Sequence, residues 1–481
     1  MPETAAHPSQ SSAVPRRVLG FRDLILYYLV TGISLRWISY AAAAGPSTLV
    51  IWIGAWCVFA LPLALSVLQL SSRYPQEGGL YLWSKKAFGE FGGFMAGWTY
   101  WTSNLPYFPT VLYFSAGRAL YLAGRRVGEA GNNPVFFVTF SLGALLLITV
   151  LNIVGLEIGK WVNNIGAAGM WIPILILVAL AAAVGLTSGS ATPLNAATLV
   201  PDLSLKNAVV WSAIAFALCG SEAASFMGDE IENPRRNVPR ALLAGTLFST
   251  FGYMIGTVAI LIILPQHSVD SLEGIVQSVA EASGRFHLGG VVQLVALLIV
   301  ISNVGAAGAF LEACSRVPFV AGLDRYLPEA FARLHPRWTT PHVSIWSQFV
   351  AGAIFILLGQ AGTSVKGAYD VLVNTTVIST FVPYLFLFAA MIRLAGRPTD
   401  PAEPPMFRLP IGPRATAAIA AVGFTTTFLC ILLSLLPPPD EPNKALAVFK
   451  IVGLSTLSLG IGFVAYLGGA RRAHPHGPHL R

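Results

Sequence analysis

Apolar residues occupy the chain in long unbroken runs, and most of the charge sits in the short stretches between them. About 20 residues of helix are needed to cross ~30 Å of hydrocarbon. The runs meet that length again and again. They lack the apolar–polar alternation of a membrane barrel strand, so helices satisfy the backbone within the lipid. The pattern predicts about twelve spans. The first five cover Leu24–Ala44, Ser47–Leu70, Gly92–Leu122, Pro134–Val154 and Val162–Leu186. The next five cover Ala208–Gly228, Arg240–Leu264, Gly289–Gly322, Val343–Leu358 and Ala368–Ile392. Ala415–Leu436 and Ala447–Gly468 complete the set. The fold class expected is therefore all-α integral membrane.

Composition sharpens this. The chain has 481 residues, 55% of them hydrophobic and 11% charged, whereas a soluble domain carries about 25% charged residues. So little charge does not cover a water-facing surface of this size. The net charge of +8 reads as cytoplasmic loop bias rather than nucleic-acid binding. Most Lys and Arg, including Arg16, Arg17, Lys85, Lys86, Arg235, Arg236, Arg393, Arg397, Arg471 and Arg472, fall on the side that holds both termini. That side is expected to be the cytoplasm, and the cell membrane the location. Residues 1–20 and 471–481 read as polar tails, the first of them disordered, flanking a single transmembrane domain over 21–470. Cys57, Cys219, Cys314 and Cys430 lie in apolar segments without metal-type spacing. The histidines of the C-terminal tail, His474, His476 and His479, read as solvated. No metal and no cofactor is implied.

Two spans are interrupted. The first contains Thr31-Gly32-Ile33-Ser34-Leu35-Arg36-Trp37, followed by Gly45-Pro46. The sixth contains Phe216-Ala217-Leu218-Cys219-Gly220-Ser221-Glu222. Glycine in membrane helices commonly serves close packing. Two interruptions at the first and sixth positions, however, are corresponding members of a five-plus-five inverted repeat, where transporters place their substrate. A break frees backbone N–H and C=O groups that a ligand, an ion or cavity water must satisfy. The half-helix N-terminus beyond it favours a carboxylate.

The stretch AFALCGSEAASFMGDEIENPRRNVPRA, Ala215 to Ala241, strongly resembles the amino acid–polyamine–organocation family. Its most specific part is Glu-x-x-Asn-Pro-x-Arg-x-x-Pro-Arg-Ala from Glu230. The stretches Ser71 to Trp98 and Ser315 to Pro328 resemble the same family. The resemblance implies a LeuT-like fold, with inverted repeats over about 24–186 and 208–392 and two further helices over 415–468. It also implies a secondary active transporter, permease or antiporter, that moves amino acids or related amines by alternating access. Protons or a counter-substrate would be the coupled partner. The sequence departs from the family pattern in three places. Ile33, Ser34 and Leu35 stand where Gly-Ser-Gly is usual, with only Ser34 kept, Gln69 replaces a glutamate, and no lysine occurs between Val162 and Leu186.

The candidate substrate-binding residues are Gly32, Ser34, Arg36, Asn104, Phe216, Gly220, Glu222 and Phe310. Ionisable groups inside the bilayer are costly and so mark function by default. Glu222 is the candidate to bind an ammonium group or carry a proton. Arg36 has two readings: an ion pair with Glu222 that ties the breaks together, or a bidentate grip on a substrate carboxylate. The second would suit an acidic amino acid or an organic acid. Phe216 and Phe310 match gating aromatics of a family exchanger. Asn104, in Trp101-Thr102-Ser103-Asn104, matches a substrate-binding asparagine. Packing is the competing role for each aromatic, because 11% of the chain is aromatic.

Other classes fit less well. An enzyme needs a nucleophile–base or metal constellation, and the histidines all lie in loops, tails or helix edges. A channel would favour a charged ring over paired breaks. A nutrient-sensing receptor on a transporter scaffold stays open. The expected partners are a small-molecule substrate (amino acid, amine or polyamine) and membrane lipid, with no nucleic acid. The oligomeric state is not legible.

Overall fold

Helices dominate because each one bonds its own backbone internally within lipid. The structure is a computed structural model that describes residues 33–74, 79–122, 133–154, 156–202, 204–220, 234–320, 326–338, 340–397, 411–437 and 443–473. Residues 1–20 and 474–481 of the tails, Leu24–Gly32 of the first predicted span, and residues 221–233 of the Ala215–Ala241 motif, including Glu222, lie outside them. The order is α1 Leu35–Ala44, α2 Thr48–Arg73, α3 Gly79–Thr102, α4 Tyr107–Leu122, α5 Pro134–Val154, α6 Leu156–Ser188 and α7 Leu205–Ala217. It continues with α8 Pro234–Ile263, α9 Gly274–Arg285, α10 Val291–Val320, α11 His342–Gln360, α12 Val365–Leu394, α13 Pro413–Ser434 and α14 Lys444–Ala473. Among the described residues nine helices contain a stretch long and apolar enough to span a bilayer. With α1, the α3–α4 pair and α7 they make an all-helical integral membrane protein of about twelve spans.

The bundle has a lipid face and an inner layer. The most apolar windows of α2, α8 and α12 are 56%, 61% and 56% buried, against 28% for α5 and α13. The outer helices direct Leu147, Val150, Phe428, Leu429, Ile461 and Val464 away from the core, where they meet lipid at no solvation cost.

The third predicted span, Gly92–Leu122, is corrected. It divides into α3 and α4 through a turn at residues 103–106. Pro106 has no N–H to continue the α3 ladder. The Ser103 hydroxyl and the Asn104 amide donate to the Tyr100 carbonyl at 2.7 and 3.1 Å and close the helix end. α3 also begins earlier, at Gly79, and bends at Gly89, whose φ of 82° suits glycine. α9 lies in a connection for which no element was expected.

Breaks elsewhere are repaired by neighbours. α2 contains a π turn at Trp56–Ala60, two residues before Pro62. Pro62 offers no N–H to the Val58 carbonyl, and Thr426 of α13 donates to that oxygen at 3.3 Å. Lys450 of α14 donates to the Gly359 and Ala361 carbonyls at 2.8 and 2.5 Å. It thereby places a cation on the negative end of α11.

Glycine sets the approach of α8 to α1. A Cβ on Gly252 would lie 2.9 Å from Ile33 Cδ1, and one on Gly256 would lie 2.7 Å from Ile38 Cδ1. Spaced four apart, the two glycines form one bare stripe that receives both isoleucines. Gly256→Leu is expected to force α1 outward and destabilise the protein by about 1–3 kcal/mol. The check is the thermal midpoint of the purified protein in detergent, and an unchanged midpoint would contradict the close fit.

Candidate functional site

α1 begins without a side-chain cap. Ser34, its N-cap residue, is extended (φ −127°, ψ 120°) and its side chain makes no capping bond. α7 ends through Leu218 and Cys219 into Gly220, whose φ of 105° is open chiefly to glycine. α1 thus starts after Ser34 and α7 ends before Gly220, and residues 1–32 and 221–233 lie outside the described ones. At 10 and 13 residues, α1 and α7 are each too short to span the bilayer alone.

One side chain joins the two ends. The Ser34 N–H donates to the Tyr253 hydroxyl at 2.8 Å, and that hydroxyl donates to the Ala217 carbonyl at 3.3 Å. Tyr253 therefore satisfies an orphan donor of α1 and a terminal acceptor of α7 at once. It projects from α8 between Gly252 and Gly256, so the bare stripe that lets α8 approach also delivers the hydroxyl. Its ring stacks on Trp52 of α2, with centroids 4.5 Å apart and planes at 5°. A second tyrosine does a similar service for α7: Tyr384 of α12 accepts the Gly220 N–H at 3.3 Å.

Arg36 lies two residues into this junction and is 3% exposed. Its guanidinium carbon sits 4.6 Å from the Trp37 ring centroid, 5.4 Å from Tyr107 and 5.9 Å from Phe216. Such ring faces attract a cation. Among the described residues, Nε and Nη1 have no hydrogen-bond partner and no carboxylate pairs with the group. Glu222, the other half of the suggested ion pair, is outside the described residues.

The aromatics continue the wall. Phe216 packs edge-on against Trp37 at 5.3 Å and Phe381 at 6.1 Å. Phe310 of α10 meets Tyr107 of α4 at 5.1 Å. The structure thus brings Ser34, Arg36, Phe216, Gly220 and Phe310 into one contact network. Asn104 stands three residues before Tyr107, with its amide hydrogens turned back to α3. Gly32 is outside the described residues, as is Glu222. Sequence reasoning missed Tyr253, Tyr384 and Tyr107. The Gly-Tyr-x-x-Gly pattern at 252–256 was the available signal for the first. Asn303 and Glu312 both lie on α10, the former buried and the latter half-buried.

At the end of α4 a further contact bears on α1. The Tyr121 hydroxyl donates to Glu273 Oε2 at 2.8 Å, and the Ile275 N–H, in the first turn of α9, donates to Ser39 of α1 at 3.1 Å. α9 is thus seated on the helix that carries Arg36. Burial raises the Glu273 carboxyl above its usual range, and the Arg118 charge and the Tyr121 bond offset that in part.

The start of α1 and the end of α7 thus meet on one tyrosine within a bundle of membrane-type helices. The comparisons give the family. The model described as amino acid permease matches residues 23–457, and the chain belongs to that family. It is similar to an uncharacterized transporter of Legionella pneumophila, with 28% identity covering 94% of this chain and 96% of that protein. It is similar to the serine/threonine exchanger SteT of Bacillus subtilis, with 25% identity covering 71% and 73%. A glutamate/gamma-aminobutyrate antiporter of Lactococcus lactis matches at 25% identity, covering 86% and 83%. The family is one of transporters and not of enzymes.

Two outcomes are expected. Tyr253→Phe leaves the Ser34 N–H and the Ala217 carbonyl without a common partner, at about 1–3 kcal/mol, and is expected to lower the rate of uptake well below that of the parent while the protein still inserts. Uptake equal to the parent would remove Tyr253 from any role in transport. For Glu273 the raised carboxyl means that the docked α9 holds its proton more tightly than a freed one. Docking is therefore firmest below the usual carboxylate range and weakens as pH rises through the raised value. Hydrogen exchange of α9 amides, corrected for intrinsic rates, should quicken with pH in the parent and respond less in Glu273→Gln. Equal pH responses would refute this role.

Proposed function

We propose that this secondary transporter moves amino acids or related amines by alternating access around the junction of α1 and α7. The reading rests on one observation above all: the Tyr253 hydroxyl ties the two broken ends together beside a buried guanidinium. Gly32, Ser34, Arg36, Asn104, Phe216, Gly220, Glu222 and Phe310 form the substrate site in this reading. Glu222 is the proton-carrying candidate, because a carboxyl at a break can exchange a proton with the two faces in turn.

The inverted repeats span about 24–186 and 208–392, and the segment 415–468 adds α13 and α14 against them. Both termini face the cytoplasm of a cell membrane, in keeping with the distribution of Lys and Arg. The names of the relatives, a serine/threonine exchanger and a glutamate/gamma-aminobutyrate antiporter, support amino acids as the substrate class and exchange as the mode.

Counterflow tests the proposal. Purified protein in liposomes preloaded with one unlabelled amino acid or amine is expected to accumulate the labelled form of the same compound. The panel is run with and without a proton gradient. Saturable binding without flux for every compound would overturn transport and favour a receptor.

A further inference from the structure

We infer that Arg36 selects substrates carrying net negative charge, such as an acidic amino acid or a dicarboxylate, and excludes cationic amines. This narrows the substrate class of the proposed transport site and rests on that reading for the site's location.

Three observations carry it. First, Arg36 is 3% exposed and has Nε and Nη1 without hydrogen-bond partners among the described residues. A buried guanidinium normally satisfies its donors or pairs its charge. An oxygen-rich anion supplies both needs at once. Second, the group sits at the start of α1, where no acidic residue occupies the first turn and Ser34 makes no side-chain cap. The half-helix N-terminus adds its own partial positive charge. One carboxylate of a substrate suits that terminus. The full charge of Arg36 calls for a second anionic group. Third, the rings of Trp37, Tyr107 and Phe216 surround the guanidinium. They keep water from screening it and strengthen both its attraction for an anion and its repulsion of an ammonium.

The aromatic faces are not enough to make Arg36 a purely structural residue. Ring contacts favour the charge, but they accept no in-plane N–H hydrogen bonds. Two of the three guanidinium nitrogens are therefore left for a guest. Among the described residues the site carries a cation and no paired carboxylate, and an occupant with more negative charge than positive balances it.

The test uses purified full-length protein and four probes: L-glutamate, succinate, L-serine and putrescine. Ligand-induced thermal stabilisation reads binding without requiring flux. L-Glutamate or succinate is expected to bind the parent at least about tenfold more tightly than putrescine. Arg36→Gln is expected to lose about 30-fold or more in affinity for the acids, with weak binding of L-serine little changed. Arg36→Lys keeps the charge but loses the fork, and should recover part of that loss. Tighter binding of putrescine than of both acids by the parent protein would overturn the inference with no variant needed. Equal losses for all ligands in Arg36→Gln would also overturn it, because they would mark a structural residue. Charge-selective binding with no counterflow would refute transport and leave the role of Arg36 standing. Counterflow of putrescine alone would do the reverse.

Discussion

A helix broken inside a membrane must find partners for the backbone groups it releases, and that one requirement organises this protein. At the junction of α1 and α7 the partner is the Tyr253 hydroxyl, which accepts from Ser34 and donates to Ala217. It reaches both because α8 carries glycine on either side of it, and because Ile33, just before α1, and Ile38 of α1 fill the space a side chain would take. The same requirement accounts for Tyr384 at Gly220, Thr426 at Val58 and Lys450 at the end of α11. None of these contacts is large. Each removes a penalty of about 1–3 kcal/mol that an unsatisfied buried group would impose. Weak, replaceable bonds of this kind also suit the alternating access proposed for this junction.

Around that junction the chemistry is asymmetric. Three aromatic rings, a guanidinium with free donors and the positive end of a short helix face one small region. No described carboxylate is paired there to cancel the charge. α9 rests on the same helix through Ser39 and is linked to α4 through Glu273 and Tyr121. Packing, charge and the seating of a surface helix therefore all act on α1, the element that carries Ser34 and Arg36.

Much of the fold was legible because lipid imposes a length and a composition that no other constraint mimics. The spans from α5 onward fall within about six residues of their expected positions, except the sixth, expected over Ala208–Gly228, where α7 ends at Ala217 and residues 221–228 lie outside the described ones. The helix ends at Ser34 and Gly220 were legible too, since small and polar residues clustered within an apolar run do little for an unbroken span. Three features escaped for physical reasons. The split between α3 and α4 lies in a run that stays apolar on both sides, so hydropathy passes over it although Pro106 marks it. α9 is short and amphipathic, and it resembles a polar connection. Tyr253, Tyr384 and Tyr107 are aromatic residues among many, and only the contacts made in three dimensions separate them from packing. Arg36 stood out in the sequence, yet only the structure leaves two of its nitrogens without partners among the described residues.

The central claim is that substrate binds where α1 and α7 break. Substrate protection of single cysteines tests it most directly. Ser34→Cys and Gly220→Cys, each in a background with the four native cysteines replaced, would be labelled with a small thiol reagent with and without L-glutamate, L-serine or putrescine. A transported compound is predicted to slow labelling at both positions and to leave a cysteine on the lipid face of α13, such as Val422→Cys, unaffected. Labelling at both junction positions that ignores every transported compound would contradict it.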